Sequence, residues 1–123
     1  MEKKLHASLS VRMSTDQRCF GPGIARLLRA VEEKHSLRAA AISMEMAYSK
    51  AWTITKNAEA GLGIKLLSSS VGGKGDGGAS LTPEGAQLLA AYEEYCRRLN
   101  ECAEREFDEL FGFYDGLKKE VAE

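Results

Sequence analysis

A glycine-rich segment at residues 72–78 sets the strongest limit on how this chain of 123 residues folds. It reads Gly-Gly-Lys-Gly-Asp-Gly-Gly and holds five of the twelve glycines, with Lys74 near its centre. Glycine adopts backbone conformations that other residues avoid and lets the chain lie close to another surface. Such a segment is a phosphate cradle, the tip of a hairpin or a linker.

The flanking sequence excludes two of these three forms. A phosphate-binding P-loop needs Ser or Thr directly after its lysine and a helix that begins at once. Here Gly75 follows Lys74, and the next helix signal is Thr82-Pro83, an N-cap followed by proline at the first helical position. Short predicted strands at 65–71 and 79–81 enclose the segment, which disfavours a linker. A hairpin tip remains.

The sequence before the hairpin predicts one strand and three helices. Apolar and polar residues alternate from Leu5 to Met13, a pattern typical of a half-buried strand. The apolar period then becomes helical from Ile24 to about His35. Ser36 is a suitable N-cap for a second helix at 37–44. A third helix is predicted at about 47–60.

The second and third predicted helices, joined by a short turn, match the plan of a helix-turn-helix. An ordinary amphipathic helix in a bundle remains the alternative for the third helix. The residues predicted to face inward are Tyr48, Ala51, Trp52, Thr55 and Ala58. The residues predicted to face outward are Ser49, Lys50, Thr53, Lys56 and Asn57.

A long last helix is predicted from Pro83 to about Phe111. Its apolar stripe extends beyond so small a core, so we expect a second copy of the chain to cover it in a two-fold dimer. Packing on its own domain is the alternative for the first two turns. The stripe contains Leu88, Tyr92, Tyr95, Leu99, Ala103, Phe107 and Leu110.

These elements predict a mainly α fold with a small β wing. We define the wing as the hairpin made by the two strands around the glycine-rich segment. Strand, three helices and wing form a winged helix-turn-helix at residues 1–82, followed at 83–123 by the long dimerisation helix and a short tail. In such a fold Lys74 at the tip of the wing is placed to reach a DNA phosphate.

Charge is divided unevenly along the chain. Residues 1–74 carry twelve Lys/Arg and six Asp/Glu, a net charge of +6, while residues 75–123 carry five and twelve, a net charge of −7. A basic first part is typical of a surface that meets a polyanion. Unrelated solvated faces are the alternative reading.

Other function classes receive little support from the sequence. No apolar run is long enough to span a bilayer and no export signal is evident, so a cytoplasmic protein without membrane contact is expected. Cys19, Cys96 and Cys102 lack paired spacing and are expected to be reduced thiols, with no metal site. Neither His6 nor His35 has a plausible catalytic partner, so neither an enzyme nor a cofactor is expected.

Several motifs carry a family resemblance. They are Phe20-Gly21-Pro22-Gly23 before the first helix, Met-Ala-Tyr-Ser-Lys-Ala-Trp at 46–52, the glycine-rich segment, and Leu81-Thr82-Pro83-Glu84-Gly85. In this order and spacing the chain resembles, over roughly residues 5–112, the N-terminal domain of ModE-type molybdate-responsive regulators. That domain is distantly related to the LysR-type winged helix.

The resemblance implies a dimeric transcription regulator that binds a palindromic operator in double-stranded DNA. The third helix would read the major groove, the wing would contact the backbone, and the last helix would pair the subunits. Lys50 and Asn57 are the main candidates for base contacts, and phosphate contacts are expected to supply much of the affinity. The DNA-binding candidates are Arg38, Ser49, Lys50, Thr53, Lys56 and Asn57 on the helices, and Gly73, Lys74 and Gly75 on the wing.

This sequence departs from the family pattern in several places. Ala47 replaces the usual capping serine, Glu45 the usual glycine of the turn, and Asp76 the central glycine of the tip, while the usual arginine is missing from residues 68–70. An interaction module linked to molybdenum metabolism, with a retained fold but no DNA binding, is therefore the alternative function. Because the sequence ends at Glu123, no molybdate-binding domain and no direct molybdate binding are expected.

Overall fold

The computed structural model describes residues 3–70 and 78–121, which form two compact units. One unit is Ser10–Glu93, and the other combines Met1–Leu9 with Glu94–Glu123. Helices dominate, and the described strands form two small antiparallel pairs. The predicted fold class, mainly α with a small β wing, is confirmed.

The unit Ser10–Glu93 contains the winged helix. Its elements are β1 (Met13–Ser14), β2 (Arg18–Phe20), α1 (Pro22–Lys34), α2 (Leu37–Ser43), α3 (Tyr48–Leu62), β3 (Leu67–Ser70), β4 (Gly78–Leu81) and the first part of α4 (Pro83–Phe111). The core lies where α1 meets α2, α3 and β2, with Phe20, Leu27, Leu28 and Val31 almost fully buried.

The predicted strand from Leu5 to Met13 is wrong. Residues 3–12 form no strand, and only Met13–Ser14 of the predicted strand pairs with a neighbour. That neighbour is β2, a strand that the sequence pattern does not predict. A strand needs a neighbour for its hydrogen bonds as well as an alternating pattern. Leu5 and Leu9 remain 44% and 49% exposed, so the alternation does not mark a buried face.

The helices α1 and α2 lie as predicted. At the C-terminus of α1, His35 takes the left-handed conformation at φ 60°, and its N–H bonds to the Val31 carbonyl. Ser36 caps α2 because its hydroxyl accepts the N–H of Ala39 at 3.0 Å. His35 is the C-cap of α1 and Ser36 is the N-cap of α2, so a single peptide bond separates the two caps.

The wing strands β3 and β4 are antiparallel, with Leu67 opposite Leu81 and Ser70 opposite Gly78. The Ala79 N–H donates to the His35 carbonyl at 3.0 Å, which joins β4 to the end of α1. The base of the hairpin is closed by the Thr82 N–H, which donates to the Leu66 carbonyl at 2.9 Å. The wing is thus attached to the helices through backbone bonds at its base.

The first turns of α4 complete the core of this unit. Thr82 caps the helix as predicted, because its hydroxyl accepts the Gly85 N–H at 2.9 Å. Leu89 and Tyr92 are 1% and 5% exposed. The Tyr92 hydroxyl donates to the Val11 carbonyl at 2.7 Å, and its ring meets Phe20 edge-on at 5.0 Å.

Tyr92 was predicted to belong to the dimerisation stripe of α4, and its burial corrects that prediction. Its ring belongs to the core of its own unit and is not available to a second chain. Leu88 is half-buried beside it. Packing on its own domain, the alternative for the first turns of the helix, is what the structure shows there.

The second unit is formed by α4 from Glu94 onward, residues 3–9 and α5 (Tyr114–Val121). The helix α5 stands where the sequence pattern predicts only a short tail. Lys118 on α5 donates from Nζ to the Lys3 carbonyl at 2.8 Å. The Phe111 ring stacks between two others: its centroid lies 5.3 Å from that of Phe107 and 6.3 Å from that of Phe113.

Candidate nucleic-acid interface

The outward face of α3 is polar and exposed along its length. All five residues predicted for this face are exposed: Ser49, Lys50, Thr53, Lys56 and Asn57. Arg38 on α2 is exposed as well. The structure thus brings the six helical candidates to the surface of α2 and α3, where side chains of this type are able to meet phosphates and base edges.

The predicted inward face of α3 is only partly correct. Ala51, Thr55 and Ala58 are buried, whereas Tyr48 and Trp52 are 40% and 49% exposed. The buried positions of α3 carry small side chains, and the residues that α2 buries, Ala40 and Ala41, are small as well. Tyr48 and Trp52 lie instead beside the outward face.

An open groove runs between the helix-turn-helix and the wing, with a volume of about 560 Å³. Side chains of α2 and α3 line one side, and β3 and β4 line the other. The charged side chains that line it within the described ranges are three cations, Arg38, Lys56 and Lys65, and no carboxylate. Lys65, an exposed residue just before β3, was missed because it lies outside the predicted recognition helix.

Two of these cations stand over the exposed aromatic rings. The Arg38 guanidinium carbon is 4.5 Å from the centre of the Tyr48 ring. The Lys56 ammonium is 5.6 Å from the centre of the Trp52 ring. Both distances fall within the range of cation–π attraction. The groove therefore presents aromatic surface and positive charge together.

Glu59 joins α3 to the start of the wing. Its carboxylate accepts the N–H groups of Leu66 and Leu67, at 2.8 and 3.2 Å, and lies 3.4 Å from the Lys56 ammonium. Burial raises the pKa of Glu59, but the two backbone hydrogen bonds and Lys56 together outweigh burial and hold the pKa below its ordinary value. Glu59 is therefore a charged positioning group for the groove.

The turn before α3 contains two of the departures from the family pattern. Glu45 is exposed and takes the left-handed conformation at φ 57°, a position that glycine occupies at lower cost. Ala47 stands at the N-cap of α3 and makes no side-chain cap hydrogen bond. An acidic group and an uncapped helix end thus sit at the entrance to α3.

The predicted wing-tip contacts Gly73, Lys74 and Gly75 lie outside the described residues, as does Asp76. They stay predictions from the sequence.

The described residues contain no cluster of His, Cys, Asp and Glu suited to a metal ion. Cys19 is buried, Cys96 half-buried and Cys102 exposed, and none of them is in a disulfide. Among the described helices, none has the length and apolarity needed to cross a bilayer.

Two curated proteins are similar to this chain in sequence. The molybdenum transport protein ModE of Herbaspirillum seropedicae is 34% identical over 94 residues, which cover 76% of this chain and 33% of ModE. The molybdenum-pterin-binding protein MopB of Rhodobacter capsulatus is 38% identical over 66 residues, 54% of this chain and 24% of MopB. The chain thus matches about a third and a quarter of these relatives. No protein-family model matches it.

Among solved structures, the DNA-binding domain of CbnR, crystallised in complex with DNA, is similar in fold and sequence. It aligns with a TM-score of 0.50 and 29% identity over 71% of this chain and 90% of that domain. Together with β3, β4 and the helix-turn-helix, this similarity defines the class: the unit Ser10–Glu93 is a winged-helix domain. In sequence, this domain is similar to part of ModE and part of MopB.

Proposed function

We propose that this protein is a dimeric, ModE-like transcription regulator that binds double-stranded DNA. The observation that carries the proposal is the groove between α3 and the wing, which is lined by Arg38, Lys56 and Lys65. The helix α3 would enter the major groove, and the wing would follow the phosphate backbone. The structural neighbour is a DNA-binding domain in complex with DNA, which supports DNA as the ligand of this surface.

The exposed residues of α3 and of the groove beside it would make two kinds of contact with DNA. Lys50 and Asn57 are able to form hydrogen bonds to base edges, while Arg38, Lys56 and Lys65 would neutralise phosphates. Since phosphate contacts release bound counterions, affinity should fall steeply as salt rises. Because both relatives have molybdenum in their names, genes of molybdenum metabolism are the first targets to test.

Dimerisation would bring two such surfaces to the half-sites of a palindromic operator. The later part of α4 offers exposed Tyr95 and Leu110 and half-buried Leu99, Ala103 and Phe107 along one predicted stripe. These five residues remain our candidates for the contact between subunits. Tyr92 is excluded from it by its burial.

Fluorescence anisotropy with labelled mixed-sequence duplexes, over a series of salt concentrations, tests the proposal. The variants Arg38→Gln and Lys65→Gln should each weaken binding and reduce the slope of log affinity against log salt by about 0.9 for each phosphate that is no longer neutralised. The control Arg105→Gln removes an exposed cation from the other unit and should leave the slope unchanged. Absence of binding at low salt, or binding insensitive to salt, would reject a DNA-binding function.

Glu45 favours a second candidate function, an interaction module that does not bind DNA. Its carboxylate lies exposed in the turn that leads into α3, where it would repel phosphate. In that case the wild-type chain fails to bind duplexes, and Lys50→Glu leaves the cellular phenotype of the wild type intact. The anisotropy experiment therefore separates the two candidates.

A further inference from the structure

The groove contains more exposed aromatic surface than phosphate binding requires. Tyr48 and Trp52 are one helical turn apart on α3 and both line it. Trp52 is 49% exposed, although a tryptophan ring is among the largest apolar groups that a core can bury. A cationic groove binds a polyanion without such a ring, so the exposed indole has to be explained separately.

The position of Trp52 links it to the base-contacting face of α3. Thr53 follows it in sequence and Lys56 stands one turn further along, and both are exposed on the outward face. The Lys56 ammonium lies over the indole ring, 5.6 Å from its centre, and also pairs with Glu59. The ring thus lies beside the outward face of α3, with a cation over one of its own faces.

The major groove of duplex DNA offers mostly hydrogen-bonding groups on its base edges. The apolar exception is the 5-methyl group of thymine. A half-exposed indole on the helix that enters this groove is therefore suited to one base feature in particular. The cations around it, Arg38, Lys56 and Lys65, match the charge of the flanking phosphates.

We propose that Trp52 is a specificity-determining residue that packs its indole ring against the 5-methyl group of a thymine in each half-site. This inference rests on the proposed function, because it requires α3 to lie in the major groove. Tyr48 has a different role. The Arg38 guanidinium carbon lies 4.5 Å from the centre of its ring, so Tyr48 would position Arg38 for a contact with a DNA phosphate. The selectivity of α3 then combines an apolar contact from Trp52 with the polar contacts of its outward face.

Uracil tests this contact because it differs from thymine by the methyl group alone. Duplexes are selected from a randomised pool by the wild-type chain, and each thymine of a selected duplex is replaced in turn by uracil. One or two positions in each half-site should weaken wild-type binding about three- to fivefold, the effect expected for burying one methyl group. The remaining positions should show no difference.

The variant Trp52→Ala should weaken binding to the thymine duplex and bind the thymine and uracil duplexes equally well. Trp52→Leu keeps an apolar side chain and should retain part of the preference. Ile42→Ala is the matched control, because Ile42 is an exposed apolar residue, 70% accessible, that does not line the groove. It should preserve both affinity and preference.

The outcomes separate this inference from the proposed function. If no duplex is selected or bound, both fail. If the wild-type chain binds duplexes with a steep salt dependence but no position distinguishes thymine from uracil, the DNA-binding function stands and the role of Trp52 is rejected. A preference for thymine that persists in Trp52→Ala also rejects it, because another group then reads the methyl. Circular dichroism of each variant verifies that it is folded.

Discussion

The carboxylate of Glu59 accepts the N–H of Leu66 at 2.8 Å, which connects the last turns of α3 to the residue just before the wing. Leu66 is itself fully buried, so the bond forms at the edge of the core. The distance between the proposed recognition helix and the wing is set by a charged hydrogen bond as well as by packing.

Replacing Glu59 by Gln should lower the free energy of unfolding by about 1–2 kcal/mol near neutral pH, since the variant has no charged acceptor for the two backbone N–H groups. The pKa of Glu59 is held below its ordinary value, 4.5, so its stabilisation is present above that pH and disappears as the pH falls through the lowered pKa. The difference between wild type and Glu59→Gln should therefore shrink in acid. Urea unfolding at a series of pH values measures it.

Glu104→Gln is the control for Glu59, because Glu104 is an exposed carboxylate of α4 that makes no hydrogen bond or ion pair with the described residues. Its unfolding free energy should follow the wild type at every pH. A gap between wild type and Glu59→Gln that stays constant into acid would contradict the assigned role of the charge.

Gly85→Ala should destabilise the winged-helix unit by about 1–3 kcal/mol, as expected for overpacking against backbone. A Cβ atom at residue 85 would lie 2.5 Å from the Leu66 carbonyl oxygen. Gly23→Ala in α1 is the matched control, because its Cβ would meet nothing within 4 Å. That variant should be neutral or slightly stabilising by helix propensity. Thermal unfolding of the two variants measures the contrast, and equal midpoints would contradict the close approach of α4 to Leu66.

Glu45→Gly should stabilise the fold by about 0.5–1 kcal/mol, because it removes a side chain from a left-handed residue at φ 57°. Glu45→Ala removes the charge but keeps the Cβ, so it should bring no such gain. If DNA is the ligand, both variants should bind duplexes more tightly than the wild type, since both remove a carboxylate from the entrance to α3. Urea unfolding and anisotropy together separate the backbone effect from the charge effect; equal stability of the two variants would contradict the former.

Leu110→Asp should dissociate the proposed dimer, because Leu110 is 59% exposed on the stripe of α4 and an aspartate there would have to be buried on association. Light scattering after size-exclusion chromatography should give the mass of two chains for the wild type and one for the variant. Glu106→Gln changes an exposed polar residue of the same helix and should leave the mass unchanged. A monomeric wild type would reject the dimer.

The elements that the sequence predicted best are those fixed by local chemistry. Ser36 and Thr82 cap α2 and α4 as expected, since capping depends on one side chain and the N–H groups that follow it. Where tertiary partners decide, prediction failed: residues 5–12 alternate but find no neighbouring strand, and β2 depends on its pairing with β1. Local patterns carry no information on which strand is available to pair.

The candidate site was predictable in part for a similar reason. Helical periodicity identified Lys50 and the other exposed residues of α3, but it assigned Trp52 to the buried side. Helical periodicity predicts the direction in which a side chain points, but it does not predict how much of that side chain neighbouring elements will bury. Which positions of α3 are buried also depends on the elements packed against it, and the sequence of one helix does not show this.

The burial of Leu89 and Tyr92 determines how far the chain can be shortened from its C-terminal end without loss of the fold. A fragment that ends at Thr82 would retain α1–α3 and the wing strands but would leave Phe20 without its edge-on aromatic partner and Val11 without its hydrogen bond. The smallest portion expected to fold on its own therefore ends no earlier than Glu93. Fusions and reporter proteins that use this domain should be joined beyond that residue.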